Sequence, residues 1–363
     1  MKDVLSVLTN GETAVYKLRA LYQTYGYQQY KMSKFEEYDL YVSNKDYLVS
    51  DNVITFNDTD GKLLALKPDV TLSIIKNGKD DGSIKKLCYG ENVYRVSKGT
   101  KSFKEIMQVG LECQGNVDDF IISEVLMLAV LSLKSISSDY ALDISHLGVV
   151  SSVINGLGVS ESVKKELISY LGDKNGQAIK VLLEREGVSD NKAELLLKLV
   201  EIYGNPKTVI KQLSQIDFEK DVKENIAQLE KFICELERLD LAENVNIDFS
   251  VVNNMSYYNG IVFKGFISGI PTGILSGGQY DNLMQKMGKK SGAIGFAVYL
   301  DELKNLSRED QKFDVDVVVL YDDSNSIKDV NQVVKEIVDG GETAFMTKTI
   351  PEKLRFKRQI KVK

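Results

Sequence analysis

Few side chains in this sequence are of the types that carry out chemistry, because the chain contains a single histidine, His146. A single histidine all but excludes metal centres with several histidine ligands, Ser-His-Asp triads, and Cys-His pairs spread over several histidines. His146 lies in the apolar stretch ISHLGVV, which favours a packed histidine over a catalytic one. The cysteines Cys88, Cys113 and Cys234 are far apart and form no CxxC pair, which indicates reduced thiols. We therefore predict no metal site and no cofactor.

A row of polar side chains on one predicted strand is the other place where chemistry could occur. In the segment FKEIMQVGLECQG, Gln108 and Glu112 alternate with the apolar Val109 and Leu111. This alternation directs the polar and apolar side chains to opposite faces of an antiparallel sheet. A polar row usually faces solvent, but it lines a pocket where the face of the sheet is concave. The pattern alone leaves both interpretations open.

The elements around this strand follow from local signals. Apolar side chains at helical spacing in residues 12–25 predict an amphipathic helix that ends at Gly26. The Asp60-Gly61 step between two apolar runs predicts a β-hairpin within residues 51–75. Further along the chain, the patterns predict a short helix, two long strands, a helical stretch at 119–242, more strands, and a buried strand at 314–321.

The composition is ordinary for a soluble globular protein, with 363 residues, 43% of them hydrophobic and 27% charged. A net charge of −6 argues against a large nucleic-acid footprint, because phosphate binding depends on clustered lysine and arginine. No apolar run is long enough to cross a bilayer, and the beginning of the chain turns polar too early for a signal peptide. We expect a cytoplasmic protein whose partners include neither nucleic acid nor membrane.

Six segments, in their order and spacing, resemble the histidyl-tRNA synthetase family of class II aminoacyl-tRNA synthetases over residues 1 to about 305. The first motif of the family resembles GYQQYKMSKFEEYDLY, in which Ser33 replaces a usual proline. The LxLRPEGT segment resembles LALKPDVTLSIIKN, and the second motif resembles YGENVYRVSKGTKSFKEIMQVGLECQG. The RGLDYYxxxVFE and GGRYDGL segments resemble SVVNNMSYYNGIVF and GGQYDNL, and the third motif resembles SGAIGFAVYLDEL.

The resemblance implies a binding site for free histidine. Asp69 and Thr71 would hold the ammonium group of the ligand, and Gln108 would contact its main-chain end. Glu112 and Tyr258 would satisfy the two imidazole nitrogens, one as acceptor and the other through its hydroxyl. The residues that match the histidine-binding positions of the family are Asp69, Thr71, Arg95, Gln108, Glu112, Tyr257 and Tyr258.

The resemblance also implies that the machinery for adenylate formation is lost. This reaction develops negative charge on the α-phosphate, which the family stabilises with several arginines. Arg95 keeps the first of these positions, but the others match Ser102, Asn253 and Glu302. A glutamate that helps to hold ATP matches Ser97. We therefore predict no catalytic residues and no enzyme activity.

A chain that keeps the histidine pocket without the activating groups resembles the regulatory subunits of ATP phosphoribosyltransferase, the first enzyme of histidine biosynthesis. Members of that family pair with a short catalytic subunit that is inactive or poorly regulated alone, and they respond to histidine. The implied partners are this catalytic subunit, free histidine, and a second copy of the chain, joined through residues 12–41 into a homodimer within a hetero-oligomer. Such subunits commonly lack a full anticodon-binding domain, which agrees with the short segment at the end of this chain.

The site residues also have ordinary structural interpretations. Asp69 could cap the helix that follows it, and Arg95 could be a plain salt-bridge partner. Gln108 and Glu112 could lie on the solvated face of an edge strand, and one of the two adjacent tyrosines could pack in the core. A working synthetase or another adenylate-forming ligase is one alternative function. A tRNA- or protein-binding module with an empty pocket is another.

Together these patterns and the resemblance predict an α+β fold, with a class II aminoacyl-tRNA synthetase-like antiparallel sheet that is flanked by helices. Residues 1–145 and 216–305 would form this core. Residues 150–215 would form a helical insertion, and residues 312–363 would form a partial C-terminal α/β segment.

Overall fold

The computed structural model of the chain describes residues 8–44, 53–96, 102–252, 255, 257–305 and 313–362. The chain divides into two compact units, of which the larger is Ala14–Leu303 and the smaller contains Lys304–Lys363. In the described ranges, every helix is too short or too polar to cross a membrane.

Two sheets of the larger unit contain all of its described strands. The strands are, in chain order, β1 (Gln28–Gln29), β2 (Phe35–Glu37), β3 (Thr55–Asn57), β4 (Leu63–Leu66), β5 (Lys85–Val96), β6 (Phe103–Gly115), β7 (Tyr140–His146), β8 (Tyr203–Gly204), β9 (Val245–Asp248), β10 (Ile261–Ile267), β11 (Leu275–Gln279) and β12 (Gly292–Tyr299).

Helices flank these sheets and fill the stretch between β7 and β9. They are α1 (Asn10–Thr24), α2 (Tyr38–Val42), α3 (Thr71–Asn77), α4 (Asp119–Ile136), α5 (Leu147–Gly156), α6 (Glu161–Gly172), α7 (Gly176–Arg185), α8 (Asp190–Glu201), α9 (Pro206–Leu213), α10 (Lys220–Arg238) and α11 (Asp281–Lys286), with a 3-10 helix (Leu300–Asn305) after β12.

The large sheet has nine strands in the order β1-β5-β6-β12-β11-β10-β7-β9-β8. It is antiparallel except where β1 pairs with β5 and β7 pairs with β9. The small sheet, in the order β2-β4-β3, contains the predicted hairpin of β3 and β4. This antiparallel sheet with flanking helices confirms the predicted α+β fold, and the predicted helix at residues 12–25 and the two long strands are confirmed as α1, β5 and β6.

The two faces of β6 have different surroundings, as the alternation predicts. The apolar side chains of Val109 and Leu111 are buried on the face that α4 covers, because α4 packs against β7, β10 and β12. The other face carries Gln108 and Glu112 and lies beneath α3, whose Thr71 contacts Glu112. The polar row is therefore enclosed between the sheet and a helix.

Helices α5–α9 follow β7, and β8 between α8 and α9 pairs with β9 at the edge of the large sheet. Helix α10 then packs against α4 and α5 and leads back to the sheet. The division of this unit into a core of residues 1–145 and 216–305 and an insertion of residues 150–215 remains a prediction.

Within the smaller unit, residues 313–362 form a short α/β segment. Its strands β13 (Val315–Leu320), β14 (Ala344–Thr347) and β15 (Phe356–Lys361) form a parallel sheet in the order β14-β13-β15. Helix α12 (Ile327–Asp339) connects β13 to β14 and packs Val330 and Ile337 against Val317 and Val319.

The only histidine has a structural role at the start of α5. His146 is 3% exposed, and its Nδ1 accepts the backbone N–H of Gly148 at 3.0 Å. Because Nδ1 is an acceptor, the proton lies on Nε2, which donates to Oε1 of Gln228 at 2.8 Å. Burial lowers the pKa of His146, so the neutral ring is the stable form. The prediction of a packed, non-catalytic histidine agrees with this geometry.

We expect His146→Ala to lower the free energy of unfolding by about 1–2 kcal/mol, since it removes the cap of α5 and a buried partner of Gln228. His146→Asn keeps a cap acceptor and should recover much of this loss. Urea unfolding of the two variants measures the difference. Equal stability of the alanine variant and the unmodified protein would contradict a capping role.

Candidate functional site

Glu112 is a carboxylate buried at the centre of the large sheet. It is 3% exposed and lies on β6, where Leu87 of β5 and Gly295 of β12 are its neighbours in register. A Cβ atom at Gly295 would overlap the Glu112 carboxylate, so only glycine leaves room for this side chain. The interpretation of Gln108 and Glu112 as a solvated edge is therefore wrong, because β6 is a central strand and both residues are buried.

Two hydroxyl groups hold the oxygens of Glu112. Thr71 Oγ1, at the start of α3, donates to Oε1 at 2.6 Å, and the hydroxyl of Tyr280 donates to Oε2 at 2.6 Å. Burial raises the pKa of Glu112 to about 8, although the bonds from Thr71 and Tyr280 act in the opposite direction. The site therefore holds a carboxyl group that changes its protonation near neutral pH.

Asp69 lies at the turn that leads into α3 and accepts the backbone N–H of Leu72 at 2.9 Å. This bond confirms the capping interpretation, but a carboxylate has about four lone-pair positions, so capping leaves capacity for a ligand. Burial raises the pKa of Asp69, and the Leu72 N–H and the nearby Arg95 oppose that rise. Asp69 thus combines a local structural role with an acidic group close to the site.

Arg95 is buried at 8% exposure, and its Nε donates to the carbonyl oxygen of Pro68 at 2.9 Å. The guanidinium group therefore holds the residue that precedes Asp69, and among the described residues it forms no ion pair of the kind that was the alternative. Part of its hydrogen-bonding capacity is committed to the backbone of the protein itself.

Gln108 completes the polar row and is 2% exposed, opposite Glu91 of β5 and Tyr299 of β12. Between Gln108 and Glu112 lies Gly110, over which the ring of Tyr89 packs. A Cβ atom at Gly110 would lie 2.5 Å from the Tyr89 hydroxyl oxygen. Burial raises the pKa of Tyr89, and the neighbouring charge of Glu112 adds to the rise. Tyr89 therefore belongs to the site, which sequence reasoning missed.

Three tyrosine rings form one wall beside Glu112. The ring of Tyr257 lies 4.5 Å from that of Tyr258 and 5.7 Å from that of Tyr280, measured between centroids. Tyr257 is buried in an apolar cluster with Leu72, as expected for one of the pair. Both tyrosines precede β10, so the alternation of a strand does not apply to them.

Tyr280 is the second site residue for which the sequence analysis assigned no role. It lies in the GGQYDNL segment, so the resemblance had already marked this stretch, but nothing local indicated a contact with a strand far away in the chain. The structure brings together Asp69, Thr71, Arg95, Glu112, Tyr257 and Tyr258 around α3 and β6, with Gln108 further along the same face.

The structure describes some of the positions that match the activating groups of the family. Glu302 lies half-buried in the 3-10 helix after β12, and Ser102 is exposed just before β6. Asn253 and Ser97 lie outside the described residues. In the described part of the chain, the third-motif position thus carries a carboxylate.

The fold and the site define a class II aminoacyl-tRNA synthetase-like protein. The family model of histidyl-tRNA synthetase matches residues 5–303. A relative from Caldanaerobacter subterraneus subsp. tengcongensis, called an ATP phosphoribosyltransferase regulatory subunit, is 31% identical over 79% of this chain and 76% of its own. The chain therefore belongs to the histidyl-tRNA synthetase family, in its group of ATP phosphoribosyltransferase regulatory subunits, which confirms the resemblance.

Solved structures agree on the fold. A protein of Bacillus halodurans described as an ATP phosphoribosyltransferase regulatory subunit/histidyl-tRNA synthetase has a TM-score of 0.78 at 22% identity, covering 99% of this chain and 96% of that one. An ATP phosphoribosyl transferase complex from Thermotoga maritima contains a chain with a TM-score of 0.64 at 18% identity, covering 80% of this chain and 97% of that one.

The raised pKa of Glu112 predicts a pH dependence of stability. Between the ordinary pKa of a glutamate and about 8, the folded protein keeps a proton that the unfolded chain releases. This carboxyl group therefore lowers the free energy of unfolding as the pH rises through that interval. Glu112→Gln cannot titrate, so its stability relative to the unmodified protein should increase from about pH 5 to about pH 8. Urea unfolding at both pH values tests this, and a constant difference would contradict it.

Proposed function

We propose that the chain is a non-catalytic regulatory subunit of ATP phosphoribosyltransferase that binds free histidine in the first step of histidine biosynthesis. The observation that carries this proposal is the buried Glu112, held by Thr71 and Tyr280 beside a wall of tyrosine rings. This arrangement suits a small polar ring, and the chain belongs to a family whose members have this name.

Histidine would bind with its imidazole ring towards Glu112 and Tyr258. Glu112 would accept a ring N–H in its ionised form, and the Tyr258 hydroxyl would satisfy the other nitrogen. Asp69 and Thr71 would face the ammonium group of the ligand, with Gln108 at its main-chain end. A ligand without the ring nitrogens would leave buried polar groups unpaired, and the pocket would reject it for that reason.

Lack of catalysis belongs to the same proposal. Glu302 places a carboxylate where a synthetase has an arginine. A carboxylate at this position disfavours the negative charge that develops on an α-phosphate. An ATP–pyrophosphate exchange assay with histidine separates this proposal from the alternative of an active synthetase or another adenylate-forming ligase, which would give exchange.

The proposed partner is a short catalytic subunit of ATP phosphoribosyltransferase, with which two copies of this chain would assemble in the cytoplasm. The homodimer contact is proposed for residues 12–41, which include most of α1 together with β1 and β2. These elements leave Tyr16 and Phe35 exposed at 54% and 46%, respectively, which is apolar surface that a second copy could bury.

We expect this chain to co-purify with the catalytic subunit of the same organism, and histidine to inhibit the complex more strongly than the catalytic subunit alone. Sedimentation of the isolated chain at micromolar concentration should show a dimer. A strict monomer would remove the proposed homodimer, and failure to co-purify would remove the proposed partner.

Glu112→Gln should weaken histidine binding by roughly tenfold to a hundredfold, the range for one hydrogen bond to a charged group in a desolvated site. The amide NH₂ cannot accept the ring N–H that the carboxylate accepts. Titration calorimetry without ATP measures the change. By coupling, the same variant should need more histidine for inhibition of the complex while its uninhibited turnover stays near normal.

Glu105→Gln is the matched control, since Glu105 lies on the same strand but is exposed. It should leave histidine binding unchanged. If Glu112→Gln also leaves binding and inhibition unchanged, the feedback site lies elsewhere in the complex.

A further inference from the structure

Lys67 is a lysine in the protein interior, with a side chain that is 1% exposed. Its Nζ lies 2.5 Å from Oε2 of Glu91 on β5, and the Glu91 side chain is 17% exposed. The other oxygen of Glu91 accepts the backbone N–H of Met32 at 3.4 Å. Lysine is almost never buried to this extent without a partner, and the ion pair supplies one. Lys67 lies in the LALKPDVTLSIIKN segment and Glu91 in the second-motif segment, but none of the ligand contacts proposed above uses this pair.

The position of the pair connects it to the turn that carries Asp69. The carbonyl oxygen of Lys67 accepts the backbone N–H of Tyr94 at 2.8 Å, and the next carbonyl, that of Pro68, accepts Nε of Arg95. Three contacts from β5 therefore hold Lys67 and Pro68, the two residues before Asp69. One of them is to the side chain of Lys67, and the other two are to the backbone carbonyls of Lys67 and Pro68. These contacts fix the backbone that leads into Asp69.

The charges of Lys67 and Glu91 indicate a role for this pair beyond stability, because stability alone does not require them. A buried ion pair is often no more stabilising than apolar side chains of similar volume, whereas it is satisfied in only one geometry. Glu91 is also the register neighbour of Gln108, so the pair lies at the edge of the polar row. A pair in this place fixes the turn relative to β5 and β6, the strands that carry the rest of the site.

We propose that Lys67 is a positioning residue of the histidine pocket, which acts through its ion pair with Glu91 to place the Asp69 carboxylate for the ammonium group of the ligand. This inference rests on the proposed function and deepens it. It predicts that loss of the ion pair weakens the binding of ligands that carry an ammonium group, because Glu112 and Tyr258 contact the ring from other elements.

The test is the double variant Lys67→Met with Glu91→Gln, which removes both charges at nearly constant volume. Histidine and histamine carry the ammonium group, whereas imidazolepropionate lacks it. The affinity ratio of histidine to imidazolepropionate, measured by calorimetry and by competition, should fall by about tenfold, the equivalent of one charge-assisted hydrogen bond. Histamine should weaken in parallel with histidine, and imidazolepropionate should keep its affinity.

Lys86→Met with Glu124→Gln is the matched control. That pair also starts on β5, with Nζ 2.7 Å from Oε1, but Lys86 is 23% exposed and its partner lies on α4. The control should leave the ratio unchanged, and urea unfolding should show that both double variants fold. An unchanged ratio in the Lys67 variant, or an equal loss for all three ligands, would overturn the positioning role. Absence of histidine binding to the unmodified protein would instead overturn the proposed function.

Discussion

The burial of the Glu112 carboxylate is the constraint to which the rest of the site conforms. In the described structure, hydroxyl groups donate the hydrogen bonds to this carboxylate, and no lysine or arginine forms an ion pair with it. Burial therefore raises the pKa of Glu112 and favours its protonated form. Thr71 must reach it from α3, Tyr280 from the start of α11, and position 295 on β12 must lack a side chain. Three distant segments therefore have to converge on one residue.

The distribution of charge around this carboxylate indicates the kind of ligand that the site can accept. Among the described residues, the two buried cations are Lys67, which pairs with Glu91, and Arg95, whose Nε donates to the carbonyl of Pro68. Asp69 and Glu112 remain as acidic groups on the ligand side. Such a site favours a ligand that brings a positive charge or N–H donors, and it disfavours a polyphosphate, which needs fixed cations. The electrostatics thus support a binding role over nucleotide activation.

Much of the architecture could be predicted from local signals. The alternation along β6, the Asp60-Gly61 turn and the helical spacing in α1 each depend on residues a few positions apart, and each is found as predicted. Asp69 could be recognised as a helix cap for the same reason. The family resemblance marked the site residues, because their order along the chain is preserved even though each segment by itself is weak.

The tertiary structure decided which of these residues meet and how. Nothing in the sequence indicated that Tyr280 donates to Glu112, or that Lys67 lies in the core beside Glu91. The directions of Tyr257 and Tyr258 were also undetermined, because a segment outside a strand has no fixed alternation. Periodicity and turn chemistry are local and can be read along the chain. A contact between residues far apart in sequence depends on sheet register and on the space that a neighbouring glycine leaves, which exist only after the strands have paired.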